Sequence, residues 1–295
     1  MWELAVTLLV AGEPCESLLA LARQAYEGRQ YREASALFSR ALPECGSTEP
    51  VLLGLAQSQL LAQDVTGALA TLDRVLALNA ANVPALKVRA KALYLAARDG
   101  EAEAALGAAA ALAPNDPDIA YDLGRIYYQQ GRHPQAADAF RRAIALDARA
   151  YKAWDNLGLS MEALGDPAEA VRAYQKAMEI AQADQPKYDA VYANYADLLL
   201  KQGDYRRAFD AAAEAAQRNP EDPRNFFLAG KALVRLERPD VSLKWFAQAI
   251  ALDPDYPEPH YLLSQAYRRL GRLDEAARAL KDFQAATARA PKVRR

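Results

Sequence analysis

A fixed 34-residue period runs through this chain and limits what it can fold into. With Tyr151 as position 1 of one unit, the small residue at position 8 is Gly158, and its equivalents are Ala22, Ala56, Ala90, Gly124, Ala196, Gly230 and Ser264. Successive spacings are 34 residues, except for a 38-residue step from Gly158 to Ala196. Position 20 falls on Ala34, Ala68, Ala102, Ala136, Ala170, Ala208, Ser242 and Ala276. Position 24 is bulky in Phe38, Leu72, Leu106, Phe140, Tyr174, Phe246 and Leu280, with Ala212 the exception. A chain of 295 residues would ordinarily suggest about two compact domains, but self-similarity at this period points instead to stacked units that bury their apolar faces against one another.

Inside each unit the apolar positions 4, 7, 8 and 11, then 20, 24 and 27, are three and four apart. This is the period of an amphipathic helix, so each unit reads as two helices. Pro84 and Pro117 open first helices and Pro134, Pro167 and Pro239 open second ones, where a missing N–H costs little. Glycine or a polar residue near position 15 (Gly131, Gly165, Gly203, Gly271) supplies the turn between them. Small residues at 8 and 20 let the paired helices approach, and the bulky residue at 24 fills the remaining space. The expectation is all-α: eight units at 15–48, 49–82, 83–116, 117–150, 151–188, 189–222, 223–256 and 257–290. An apolar segment, 1–14, precedes them and a basic tail, 291–295, follows. The four extra residues around EIAQADQPKYDA amount to about one helical turn, which should lengthen a helix at the fifth-to-sixth junction.

A 34-residue helix-turn-helix unit of this composition resembles the tetratricopeptide repeat, whose pattern is W-x2-L-G-x2-Y followed by A, F, A and P. The best copies are AWDNLGLSMEALGDPAEAVRAYQKA (153–177) and AYDLGRIYYQQGRHPQAADAFRRAIAL (120–146). The resemblance implies a right-handed α-α superhelix and a non-catalytic scaffold that holds a protein or peptide segment in its concave groove, for assembly of a multiprotein complex. The alternative is a regulatory or substrate-recruiting domain of an enzyme system. In the family, groove residues occupy positions 2, 5, 6, 9, 12 and 13 of each first helix. Here these include Lys87, Lys91, Tyr94, Tyr121, Asp122, Arg125, Tyr128, Lys152, Asp155, Asn156, Asn194, Phe227, Lys231 and Tyr261. Lysine and arginine beside tyrosines at helical spacing suggest a ligand with acidic and apolar side chains, centred on repeats three to five. Asn156 and Asn194 could bridge a ligand's backbone. The family's clamp for a terminal carboxylate does not fit, because Lys91, Asp122 and Asn156 depart from it and Asp122 would repel the carboxylate.

Thirty-six Lys and Arg against thirty-eight Asp and Glu leave no general attraction to nucleic acid. His133 and His260 have no second ligand or nucleophile in a motif, and the sequence holds no phosphate loop or metal-ligand spacing, so no catalytic residue, metal or cofactor is expected. MWELAVTLLVAG is too short to span a membrane and reads either as a signal remnant or as a capping helix, so no integral span is expected. Cys15 begins the first helix of repeat one and Cys45 follows its partner helix, which Pro43 helps to end, so antiparallel packing would bring the two thiols together. A bond there would favour a periplasmic or secreted location. Two unrelated thiols, and a cytoplasmic chain, are the alternative. The sequence leaves the oligomeric state open.

Overall fold

The computed structural model describes residues 15–289, so the expected segments 1–14 and 291–295 lie outside the described residues. Sixteen helices and no strand occur among the described residues. The first seven are α1 (Cys15–Glu27), α2 (Tyr31–Cys45), α3 (Glu49–Leu61), α4 (Val65–Leu78), α5 (Val83–Leu95), α6 (Asp99–Leu112) and α7 (Pro117–Gln129). They belong to one compact unit that ends at Arg132. A second unit begins at His133 and holds α8 (His133–Leu146), α9 (Tyr151–Ala163), α10 (Pro167–Asp184), α11 (Ala190–Gln202), α12 (Tyr205–Arg218), α13 (Pro223–Arg235), α14 (Pro239–Leu252), α15 (Pro257–Arg269) and α16 (Leu273–Arg289).

The period sets the packing in each unit. In the first, α1 pairs with α2, α3 with α4 and α5 with α6, while α1, α3 and α5 also touch in sequence. In the second, α9, α11, α13 and α15 form the same kind of run, each packed on its own second helix. First helices therefore share one continuous face within a unit, and the all-α repeat solenoid expected from the sequence is the fold found.

Small-on-large contact draws the pairs together. A Cβ built on Gly158 would clash with the edge of the Tyr174 ring, and one on Gly230 would lie 2.6 Å from Phe246 Cε1. Both rings are fully buried. Phe38 reaches the next repeat, where a Cβ on Gly54 would be 2.6 Å from its Cζ. Where Ala212 replaces the bulky residue, Tyr192 and Tyr195 on α11 are buried instead, so the volume is supplied from the opposite helix. The four extra residues lengthen α10 to 18 residues, against 14 in α12 and α14.

Turn chemistry is equally periodic. Position 15 is left-handed in all eight repeats: Gly131, Gly165, Gly203 and Gly271 have φ of 73°, 79°, 83° and 75°, while Arg29, Gln63, Ala97 and Glu237 adopt 60°, 68°, 55° and 58°. Asp64, Asp166 and Asp204 then cap the second helices by accepting from the N–H of Gly67, Glu169 and Arg207. One local expectation fails. Pro43 does not end α2, which continues through it to Cys45, because a proline in the last turn forfeits a single backbone bond and its neighbours keep helical packing.

A side chain with a Cβ costs on the order of 1 kcal/mol in the left-handed region, so Ala97→Gly and Glu237→Gly should each raise stability by about that amount. Gly158→Ala should instead lower it by about 2–3 kcal/mol, since backbone and a buried ring must separate. Denaturant titrations of the three variants check both signs.

Candidate functional site

Within the first unit the continuous face of first helices opens into a pocket of about 250 Å³ between α3, α5 and α7. Its walls are Leu60, Leu61, Ala90, Lys91, Tyr94, Leu95, Leu106, Asp122, Arg125 and Ile126. The helix period explains the mixture: Ala90, Leu106 and Ile126 are buried core residues, whereas Leu61 and Leu95 at position 13 remain 45% and 63% exposed. Four of the groove residues expected from the sequence, Lys91, Tyr94, Asp122 and Arg125, thus meet at one place. The Arg125 guanidinium lies 4.8 Å from the centre of the Tyr94 ring and 5.9 Å from that of Tyr121. Its planar charge is held between aromatic faces before any ligand arrives. Tyr121 and Tyr128 are half-buried on α7.

The cations have carboxylates nearby. Lys87 donates to Asp116 (2.8 Å) and Asp118 (2.9 Å), which holds its ammonium above the ordinary value against the opposing effect of burial. Lys87 is therefore engaged within the protein and does not line the pocket. Lys91 Nζ is 3.9 Å from Asp122 Oδ2 and Arg125 Nη1 is 3.8 Å from Oδ1, both beyond hydrogen-bond reach. Asp122 is only 8% exposed, and among the described residues its Oδ2 has no hydrogen-bond partner. Burial raises its carboxyl above the ordinary aspartate value, with Lys91 and Arg125 pulling the other way.

The second unit treats the expected residues differently. Asn194 is buried and cannot serve as a ligand bridge: Nδ2 donates to Asp155 Oδ1 at 3.0 Å and Oδ1 accepts from Arg224 at 3.0 Å. Asn156 turns back to the Lys152 carbonyl of its own helix at 2.8 Å. Asp155, expected on the groove face, is only 2% exposed, because the extra residues bring Tyr188 over it to donate to Oδ2 at 2.5 Å. Phe227 packs against Tyr256 and Phe246, with Lys231 above its ring and 3.9 Å from Asp197. Tyr261 leans on Phe283, and Lys152 is exposed beside Tyr151. These residues are distributed over α9, α11, α13 and α15.

Sequence reading missed Leu61 and Leu95, although a leucine at an outward position in two consecutive repeats was a usable signal. It also placed Asp122 and Asp155 on the open groove face, whereas both are buried, since composition does not show what covers a polar residue. His260 is structural, with Nε2 3.1 Å from the Pro254 carbonyl. The thiols of Cys15 and Cys45 are joined in a disulfide that ties the start of α1 to the end of α2, with their Cα atoms 5.1 Å apart. No helix among the described residues is long and apolar enough to cross a membrane.

Removing the Asp155 carboxylate would strand the Tyr188 and Asn194 donors, so Asp155→Ala should cost about 2–3 kcal/mol and Asp155→Asn less. Burial raises the Asp155 carboxyl above its unfolded value, so the native state binds more protons across that interval and stability falls as pH rises through it. The asparagine variant should lose this contribution, as thermal melts over a pH series would show.

Comparison with known proteins completes the description. Tetratricopeptide repeat families match residues 147–221, residues 193–257 and 227–292, and residues 124–165. Anaphase-promoting complex subunit 3 of Schizosaccharomyces pombe is 26% identical over 167 residues, covering 56% of this chain and 24% of that protein. The type IV pilus assembly protein PilF of Pseudomonas aeruginosa is 27% identical over 142 residues, covering 48% of this chain and 55% of its own. The chain thus spans about a quarter and about half of the lengths of these two relatives. A tetratricopeptide repeat protein from Parabacteroides merdae shares the fold, with a TM-score of 0.66 at 16% identity over 85% of this chain and 98% of that one. Period, helix pairs and family matches agree, and the chain belongs to the tetratricopeptide repeat family.

Proposed function

We propose that this chain is a non-catalytic scaffold that holds a segment of a partner protein against the first helices of its first unit, in the service of a multiprotein assembly. The observation that carries the reading is the pocket between α3, α5 and α7, where exposed Leu61 and Leu95 meet Lys91, Tyr94 and Arg125. Large apolar side chains beside a preorganised arginine and tyrosine are the materials of an interface anchor. Two relatives named for a complex subunit and for pilus assembly fit this use, and the family is one of protein-interaction scaffolds. Lys87, Tyr121 and Tyr128 flank the site on α5 and α7, while Lys152, Asn156, Phe227, Lys231 and Tyr261 belong to the other unit and take a secondary part at most, and Asn194 takes none.

We further propose a periplasmic or secreted location, supported by the Cys15–Cys45 disulfide, since such bonds persist in oxidising compartments.

Leu95 and Arg125 are both substantially exposed, so a Leu95→Ala/Arg125→Ala variant should keep its melting temperature while losing more than about 2 kcal/mol of affinity for a partner captured by the intact chain from its own cells. Binding within about twofold of wild type, a difference of under half a kcal/mol, would move the site elsewhere. For the compartment, peptide mapping without reductant should yield a linked Cys15–Cys45 fragment. Reduction should destabilise the first repeat by up to about 3.5 kcal/mol, the chain-entropy value for a loop of this length.

A further inference from the structure

The pocket holds two cations and one carboxylate, and their arrangement bears on what it accepts. Lys91 and Arg125 would by themselves favour an acidic ligand. Asp122, however, stands behind both, within 3.9 Å of one and 3.8 Å of the other, and is nearly enclosed. At these distances in a partly buried setting the single carboxylate offsets about half of the charge of the two cations. The next pair of charges along the face does not restore the imbalance, because Lys87 lies between Asp116 and Asp118. Asp122 Oδ2 accepts no hydrogen bond among the described residues and is closed off from solvent, so the charge of this carboxylate is answered chiefly by Lys91 and Arg125.

Resting on the peptide-site reading above, we infer that Asp122 is the specificity-determining residue of the pocket: it selects a neutral apolar side chain and disfavours an aspartate or glutamate at that place. The apolar side chain sits on Leu61, Leu95 and Ile126. A ligand carboxylate would compete with Asp122 for Lys91 and Arg125 and would face its charge. A ligand ammonium is disfavoured in turn by the two cations at the rim. Specificity here is set by repulsion as much as by contact.

Selection from a phage-displayed library of short random peptides, panned on the full chain and on Asp122→Asn, tests this. The wild-type pool should be rich in Leu, Ile, Met or Phe with acidic residues depleted beside them. The Asp122→Asn pool should keep the apolar anchor but raise the acidic share at its neighbours by about threefold or more, because the cations are then unopposed. Equal acidic shares in the two pools overturn the inference and leave the pocket standing. Leu61→Asp/Leu95→Asp separates the two readings: if it enriches the same peptides as wild type, or if wild type enriches none, the pocket itself is wrong and the inference falls with it. Should Asp122→Asn fail to fold, Lys91→Gln replaces it, and must lower the acidic share below that of wild type; an unchanged or higher share contradicts the inference.

Discussion

The close approach of a residue with little or no side chain to a buried ring is the contact on which the rest of this molecule depends. Tyr174 over Gly158 and Phe246 over Gly230 set the distance between the two helices of a repeat. Once that distance is fixed, the left-handed residue at position 15 can close the turn in every unit, with a carboxylate cap after it at Asp64, Asp166 and Asp204. First helices are then brought beside first helices, and their outward positions become neighbours although they lie about 34 residues apart in the chain. A site can be assembled in this way from single residues of successive repeats, which is how Leu61, Leu95 and Arg125 come to share a pocket.

Much of this was legible in the sequence because packing in a repeat array is local and recurs. The alanines at position 20 and the ring or leucine at position 24 stood out through repetition, and the four extra residues predicted the longer α10. The polar residues were harder. Asn194 and Asn156 occupy ligand-facing register positions, yet one is consumed by Asp155 and Arg224 and the other by its own helix. Asp155 is covered in turn by Tyr188 from the insertion, and a register count carries no information about such contacts. Ala212 illustrates the same point in the core, since its missing bulk returns as Tyr192 and Tyr195 on the other helix.

Charge in this protein is arranged in small sets rather than in one broad field. Lys87 with Asp116 and Asp118, Lys91 and Arg125 with Asp122, and Lys201 with Glu162 and Asp197 each place cations against carboxylates on first helices or beside them. Such sets contribute little to stability when exposed. They do orient long side chains, and they keep a groove built from tyrosine and lysine from attracting polyanions indiscriminately. The disulfide acts on another scale, fastening the start of α1 to the end of α2.

Hydrogen–deuterium exchange of the full chain, alone and with a partner captured from its own cells, tests the account most directly. The account predicts that protection on binding concentrates at residues 90–95 and 122–126, with α4 and α6 unchanged on their outer faces. Protection confined to second helices, or spread evenly over the chain with no maximum at these residues, would contradict it.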